Sequence, residues 1–167
     1  MNVDFFKSEC CDSTSEIRFG ICDEENKEPA YIDTDYEENW IAIVLNGEAK
    51  KIQFTAIDNC IDVFRKNGDM EKRCDAMLSY DSTLIFVELK TKRRDWKTEG
   101  LNQIEATLQR MIIEDKEYYF GFKKRKAIVA NLKNAFPAFQ SFDSERRAWF
   151  NKEYGIRLQF EAQIVIK

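Results

Sequence analysis

Residues 74–90 constrain the fold more than any other part of the chain. Two apolar runs flank the polar turn Asp81-Ser82-Thr83; Asp75 lies near the start of the first run, and Glu88-Leu89-Lys90 ends the second. Two such runs joined by a short polar turn are typical of a β-hairpin. Because an unpaired charge in a low-dielectric interior is costly, charged residues in buried strands usually have a paired partner, a metal ion or a substrate.

The register of this hairpin decides which charged residues meet. Alternate strand residues share a face, so a two-residue loop puts Asp75, Glu88 and Lys90 on one side of the sheet. A loop at Ser82-Thr83 pairs Asp75 with Lys90, whereas a loop at Asp81-Ser82 pairs Asp75 with Glu88. Opposed Cβ atoms then lie about 5 Å apart. A three-residue loop would send Asp75 to the other face, so the prediction depends on register.

Two carboxylates beside an ammonium group are suited to the chemistry of phosphate esters. Oxygen ligands from Asp75 and Glu88 suit Mg²⁺, which keeps several waters and accepts phosphate oxygens. Such an ion acidifies a water and shields charge on a phosphodiester. Lys90 could orient the attacking water and stabilise the pentavalent phosphate.

This arrangement resembles the core motif of the PD-(D/E)XK nuclease superfamily, the restriction-endonuclease-like phosphodiesterases. The motif is an Asp, a variable gap, and (Asp/Glu)-x-Lys at the end of an apolar strand; Cys74 stands here in place of its Pro. The resemblance implies that Asp75 and Glu88 hold Mg²⁺ or Mn²⁺, with the Leu89 carbonyl as a further ligand. It also implies that Lys90 assists the water.

The resemblance extends to two less regular positions. Many members carry a Gln or Glu on the helix after the motif, and Gln103 is the candidate here. Many also have an acidic residue on an early helix, for which Glu37, Glu38 and Asp58 are all candidates.

An acidic-x-Lys triplet alone has little meaning in so charged a chain. Four other triplets of this kind, which start at positions 25, 48, 95 and 114, lie in polar or helical surroundings. Only Glu88-Leu89-Lys90 closes an apolar run and precedes a long helix. The alternative interpretation is an edge strand whose Glu and Lys reach water.

Composition excludes several classes of function. The chain of 167 residues has no His, which removes His-dependent catalytic triads, His-metal nucleases and His-based RNA cleavage. Five Cys without a C-x-x-C pair argue against a zinc site, and Cys60 and Cys74 are interpreted as core thiols. Without a signal peptide or an apolar run long enough for a membrane span, the predicted location is the cytoplasm.

Charge is distributed unevenly along the chain. Residues 1–40 hold 12 acidic and 3 basic residues, whereas residues 41–167 hold 18 acidic and 23 basic ones. Basic residues cluster after the motif and again near residue 124, and basic clusters beside a metal site could hold a phosphate backbone. The candidates for nucleic-acid contacts are Lys92, Arg93, Arg94, Lys97, Lys123 and Lys124.

Local patterns predict one domain over residues 1–167, with an acidic segment at 1–40. The expected fold is mixed α/β, of the α+β kind, with a central mixed sheet flanked by helices, as in the restriction-endonuclease-like fold. Asn46-Gly47 is expected to close a hairpin. Helices are predicted at 95–116 and at Ser144–Tyr154, with Ser144 as N-cap and Gly155 as stop. The remaining predictions are strands at 16–21, 40–45, 50–57, 60–65, 125–131 and 156–167, and a loop at 136–139.

Two classes of function follow. The first is a metal-dependent nuclease acting on DNA, in genome defence, mobile-element biology or repair. RNA remains an alternative substrate because aromatic residues lie between basic ones at 116–126 and could stack on unpaired bases. The second class is a binding protein on the same fold, a toxin-neutralising or regulatory protein whose acidic residues 1–40 meet a protein partner. Either class of protein could form an oligomer.

Overall fold

The computed structural model describes residues 3–24, 26–134 and 141–167, so the predicted loop at 136–139 lies outside the described residues. Two β-sheets and a layer of helices make up the fold. The strands are β1 (Cys11–Thr14), β2 (Arg18–Cys22), β3 (Tyr31–Asp33), β4 (Ala42–Leu45), β5 (Ile52–Ala56), β6 (Ala76–Tyr80), β7 (Thr83–Leu89), β8 (Lys124–Ala130), β9 (Arg157–Gln159) and β10 (Gln163–Val165). The helices are α1 (Trp96–Glu114), α2 (Lys116–Gly121) and α3 (Ser141–Tyr154), with short 3-10 turns at Ser8–Cys10, Glu37–Asn39 and Leu132–Asn134.

The larger sheet has six strands in the order β1-β5-β6-β7-β8-β9, and the smaller has four in the order β10-β4-β2-β3. In the larger sheet β1, β5, β6 and β7 are antiparallel, whereas β7, β8 and β9 run parallel. Parallel strands need a crossover connection, which α1 and α2 supply between β7 and β8 and α3 between β8 and β9. The predicted mixed α/β fold with a central mixed sheet is confirmed, but the described helices pack on only one face of that sheet.

The larger sheet is buried on both faces, because β7 alternates between two cores. Leu84 and Phe86 face a core shared with the helices, which includes Leu101, Ile104, Leu108, Met111, Tyr119 and Phe150. Ile85 and Val87 face a second core against the smaller sheet. The alternation predicted for this strand is confirmed.

The predicted hairpin at Asn46-Gly47 is wrong. β4 pairs with β2 and β10, whereas β5 pairs with β1 and β6, so the chain changes sheets at this turn. The buried Asn46 amide donates to the carbonyls of Glu16 and Lys50 at 3.0 and 2.9 Å, and its oxygen accepts from the Lys50 N–H. These hydrogen bonds stabilise a crossing between layers instead of a strand pairing.

Three further local predictions need correction. Residues 60–65 form no strand; Phe64 makes only an isolated bridge with Met70. The predicted last strand is two short ones, β9 in the larger sheet and β10 in the smaller. Helix α3 begins at Ser141, so Ser144 lies inside it and cannot be its N-cap, although Gly155, with φ of +60°, does follow its end.

Cys10 and Cys60 form a disulfide, with their Cα atoms 5.8 Å apart. The prediction of Cys60 as a free core thiol is therefore wrong, whereas Cys74 is a buried free thiol. The bond ties the acidic segment 1–40 to the loop after β5. Because disulfides are rare in reducing compartments, it weighs against the predicted cytoplasmic location. Among the described helices, none combines the length and apolar character needed to cross a bilayer.

Candidate functional site

The hairpin of β6 and β7 brings the motif residues together. Tyr80 lies opposite Thr83 and Ala76 opposite Val87, so the loop is Asp81-Ser82. Asp81 has a left-handed φ of 47°, which Asp tolerates better than most residues. Continued by one residue, this register sets Asp75 opposite Glu88, the second of the two alternatives that the sequence left open.

The Asp75 carboxyl is held at the end of β7. Its Oδ2 accepts a hydrogen bond of 2.7 Å from the Leu89 N–H, and its backbone carbonyl accepts one of 2.8 Å from the Ile57 N–H. The side chain is buried, with the residue only 5% exposed. Hydrogen bonds to the end of β7 on one side and to the residue after β5 on the other therefore fix the position of Asp75.

The Glu88 side chain is buried further, at 1% exposure, and shares a hydrogen bond with Asp75. Among the described residues its Oε2 has no hydrogen-bond partner. A buried oxygen without a partner costs free energy, so its retention needs a reason such as a bound ion.

Burial controls the ionisation of this pair. It raises the pKa of Asp75 to about 6, against the lowering effect of its hydrogen bonds with Glu88 and Leu89. Burial also raises the pKa of Glu88 well above its usual range, and the neighbouring Asp75 charge adds to the effect. A cation bound between two such carboxyls would favour their ionised forms and displace protons from them to solvent.

Lys90 lies past the end of β7, where its backbone N–H donates to the Ala130 carbonyl at 2.8 Å. Its Nζ donates a hydrogen bond of 2.6 Å to Oε1 of Gln103 on α1 and lies 4.0 Å from Glu99. The Gln103 Nε2 donates to the Arg73 carbonyl at 3.4 Å. The structure thus brings the predicted helix residue Gln103 to the predicted catalytic lysine.

Gly100 allows α1 to lie this close to the sheet. A Cβ at this position would stand 2.6 Å from Cγ1 of Val129 and 3.4 Å from Cγ of Glu88. Only a residue without a side chain fits there. The distance between helix and strand, and hence the contact of Gln103 with Lys90, depends on this glycine.

These residues open into one cavity of about 340 Å³, which we call the acidic cavity; three more carboxylates line it, one of them Glu99. Asp58 lies there and pairs with Arg73 Nη2 at 3.0 Å. Asp23, which the sequence did not indicate, also lines it. The full lining is Asp23, Asp58, Asp75, Glu88, Leu89, Lys90, Thr91, Lys92, Glu99 and Gln103.

Of the three candidates for an early acidic residue, only Asp58 reaches the cavity. Glu37 and Glu38 are exposed on a 3-10 turn, where Glu37 pairs with Arg18. Asp23 directly follows the buried strand β2. An acidic residue directly after an apolar run is the one sequence pattern that could have indicated Asp23 as a site residue. That strand lies in the other sheet, so only the tertiary fold could bring it here.

The predicted phosphate contacts separate into three groups. Lys92 lines the cavity, with its Nζ 2.5 Å from Glu99, and Arg93 and Arg94 are exposed beside it. Lys97 is 13% exposed, pairs with the buried Asp143 at 2.8 Å and packs over Phe160. This burial argues against the predicted phosphate contact for Lys97.

Lys123 and Lys124 do not join the cavity. Lys124 lies opposite Thr83, at the start of β7, whereas Glu88 is five residues further along that strand. At about 3.3 Å a residue, some 16 Å separate them along the strand. Any nucleic-acid contact of these two lysines is therefore independent of the acidic cavity.

The residues fit a divalent cation. Asp75 and Glu88 supply hard oxygen atoms, one of them without a partner, and the Leu89 carbonyl lines the same cavity. No group of three or more Cys, Asp or Glu side chains in the described ranges is arranged around a single ion position. Mg²⁺ is often held by one or two carboxylates and several waters, so two suffice.

The chain matches no protein-family model, no curated protein and no solved structure. The resemblance to the nuclease superfamily therefore depends on the motif residues and on their geometry in this fold.

Proposed function

We propose that this chain is a Mg²⁺- or Mn²⁺-dependent nuclease of the PD-(D/E)XK type that hydrolyses DNA phosphodiester bonds. The observation that carries the proposal is the buried, hydrogen-bonded pair Asp75 and Glu88 with Lys90 at the rim of one cavity. A structural hairpin has no need of two buried carboxyls with raised pKa values, because apolar residues there would be less costly.

Each residue has a separate task in this proposal. Asp75 and Glu88 hold the cation, which when bound supplies charge neutralisation at the phosphate and a more acidic water. Asp75 has one oxygen engaged by Leu89 N–H, so it offers the other. The raised pKa values mean that cation binding competes with protonation of the pair, most strongly at Glu88.

Lys90 acts on the reacting phosphate. Its ammonium group is fixed by Gln103, so it can orient the attacking water and stabilise negative charge that develops on the phosphate oxygens. Gln103 does not itself reach the reacting atoms in this proposal; it is a positioning residue. Arg93 and Arg94 are exposed beside the cavity and would hold the phosphate backbone.

The test is cleavage of labelled duplex and single-stranded DNA in Mg²⁺ and in Mn²⁺. Asp75→Asn and Glu88→Gln should each abolish cleavage, since they keep side-chain shape but remove the charge that holds the cation. The matched control is Glu153→Gln, an exposed carboxylate on α3, which should cleave like the wild type.

Two results would contradict the proposal. Activity retained in both cavity variants would place the chemistry elsewhere. A wild-type protein that is inert toward DNA and RNA in either metal would favour the alternative of a binding protein on this fold.

A further inference from the structure

A second cavity, of about 440 Å³, lies at the edge where the parallel strands begin. Its walls come from the β6–β7 hairpin, from β8 and β9, from the end of α3 and the turn after it, and from residue 167 past β10. Six of its ten lining residues are cationic. The lining is Tyr80, Thr83, Lys123, Lys124, Arg125, Lys126, Asn151, Gly155, Arg157 and Lys167, and we call it the basic groove.

The cations of the basic groove have no ion-pair partner among the described residues. No carboxylate in the described part of the chain lies within 4.0 Å of the charged nitrogens of Lys123, Lys124, Lys126, Arg157 or Lys167. The cations of the acidic cavity differ, since Lys90 and Lys92 each lie near the carboxylate of Glu99.

Crowding among these cations is unfavourable. Partial burial lowers the pKa of Lys126, and the charges of Arg157, Lys167 and Lys124 lower it further, against a weaker opposing effect of Glu161. Like charges held together without a partner are stabilised when an anion binds among them.

Arg125 shapes the groove. Its guanidinium donates to the carbonyls of Phe122 at 2.6 Å and Gly155 at 3.2 Å, and it packs over the rings of Tyr119 and Phe120. These contacts join the start of β8 to the turn before β9. The wall that carries the other cations is therefore preorganised, and Arg125 serves structure more than ligand binding.

Two cations of the basic groove and the two carboxyls of the acidic cavity lie on opposite faces of the larger sheet. Lys124 and Lys126 share the face of Ile128 and Ala130, which packs against the smaller sheet. Asp75 and Glu88 lie on the face that packs against the helices. With about 16 Å between Lys124 and Glu88 along β7 as well, a phosphate held at one site does not contact the other.

We infer that the basic groove binds the phosphate backbone of a nucleic-acid segment other than the one held at the acidic cavity. Lys126 lies opposite Arg157 across β8 and β9, and Lys124 lies two residues before Lys126 on the same face of β8, so the cations are spread over two strands, which suits a repeating anion. Tyr80, the one aromatic residue of the lining, is buried, so no described ring of the groove is available for base stacking. Binding should therefore be independent of base sequence.

The test is binding of a short labelled DNA duplex in chelator, where cleavage cannot occur, at several salt concentrations. Lys124→Ala with Arg157→Ala removes two exposed groove cations; Lys66→Ala with Lys116→Ala removes two exposed cations elsewhere. The groove pair should weaken binding about tenfold or more and lower the salt slope by up to about 1.8, while the control pair binds nearly as wild type. Thermal melting verifies that both proteins are folded.

A second arm uses inorganic tripolyphosphate as a small competitor. Three outcomes would overturn the inference: unchanged DNA binding in the groove pair, equal losses in both pairs, or loss of tripolyphosphate binding with DNA binding intact. The inference does not depend on catalysis, because binding is read without metal. A protein that binds DNA through the groove but never cleaves it would refute the proposed nuclease activity and leave this inference standing.

Discussion

The ammonium of Lys90 donates a hydrogen bond of 2.6 Å to the side-chain oxygen of Gln103, thirteen residues later on α1. This contact joins the end of a strand to a helix across the mouth of the acidic cavity. If Lys90 stabilises the transition state, Gln103 sets the position of its charge.

The first prediction concerns this pair. Lys90→Ala should lower kcat by about 10²- to 10⁴-fold with little change in KM, because the ammonium acts on the transition state. Gln103→Ala should lower kcat by about tenfold, the worth of one hydrogen bond. Asn102→Ala, an exposed neighbour on α1, is the control. A Lys90→Ala protein with wild-type kcat would show that the nuclease motif is coincidental at this residue.

The second prediction concerns Arg93 and Arg94. Replacing both by Ala should weaken DNA binding and reduce the salt slope by about two units at most, because each arginine can neutralise one phosphate. Under saturating DNA, kcat should stay close to that of the wild type. Binding titrations over a range of salt concentrations measure the slope; a fall in kcat with unchanged affinity would contradict this division of tasks.

Much of the site could be predicted from residues 74–90. The two-residue turn and the alternation of apolar residues determine that Asp75 and Glu88 share a face, and a following helix can place one polar residue near them. Asp23 could not be predicted, because β2 lies in the other sheet and no local pattern reports that contact.

Two errors in the sequence predictions have physical causes. Asn46-Gly47 does form a turn, as its residue types predict. The residue types of a turn do not determine whether the two strands that it joins pair with each other or enter different sheets. The basic cluster near residue 124 was predicted to lie beside the metal site. A helical crossover between parallel strands instead returns the chain to the edge where β7 begins, away from Glu88.

The third prediction tests the close approach of α1. Gly100→Ala should lower the free energy of unfolding by about 1–3 kcal/mol, because its Cβ would stand 2.6 Å from Val129 Cγ1. Gly121→Ala on α2, where a new Cβ meets nothing within 4 Å, should be neutral or stabilising by up to about 1 kcal/mol. Urea denaturation of both variants makes the comparison. Equal stability would mean that α1 can shift without cost.

The fourth prediction concerns the disulfide. Its two cysteines are 50 residues apart, so in the chain-entropy account its loss should cost about 4 kcal/mol. Cys10→Ser with Cys60→Ser should melt at a lower temperature than the oxidised wild type and at about the same temperature as the reduced one. Cys11→Ser, at an exposed free thiol, is the control. A reductant that leaves the wild-type melting temperature unchanged would show that the bond does not form in solution.

The last prediction links the acidic cavity to the pH dependence of stability. In the metal-free protein the pKa of Asp75 is raised from 3.8 to about 6, and that of Glu88 is raised as well. The folded state therefore binds these protons more tightly than the unfolded state, so stability contributed by the pair is present below pH 4 and is lost as pH rises through 6. Asp75→Asn keeps an oxygen for the Leu89 N–H but removes one charge.

The variant should melt about 3 °C above the wild type at pH 8, corresponding to roughly 1 kcal/mol, and the two should converge at pH 4. Calorimetry in chelator at both values measures the difference. Added Mg²⁺ should then stabilise the wild type at pH 8 and leave the variant nearly unchanged, because binding to the folded state alone raises stability. A variant that is less stable than the wild type at pH 8 in chelator would mean that the two carboxyls stabilise the fold, and the argument for a cation between them would fail.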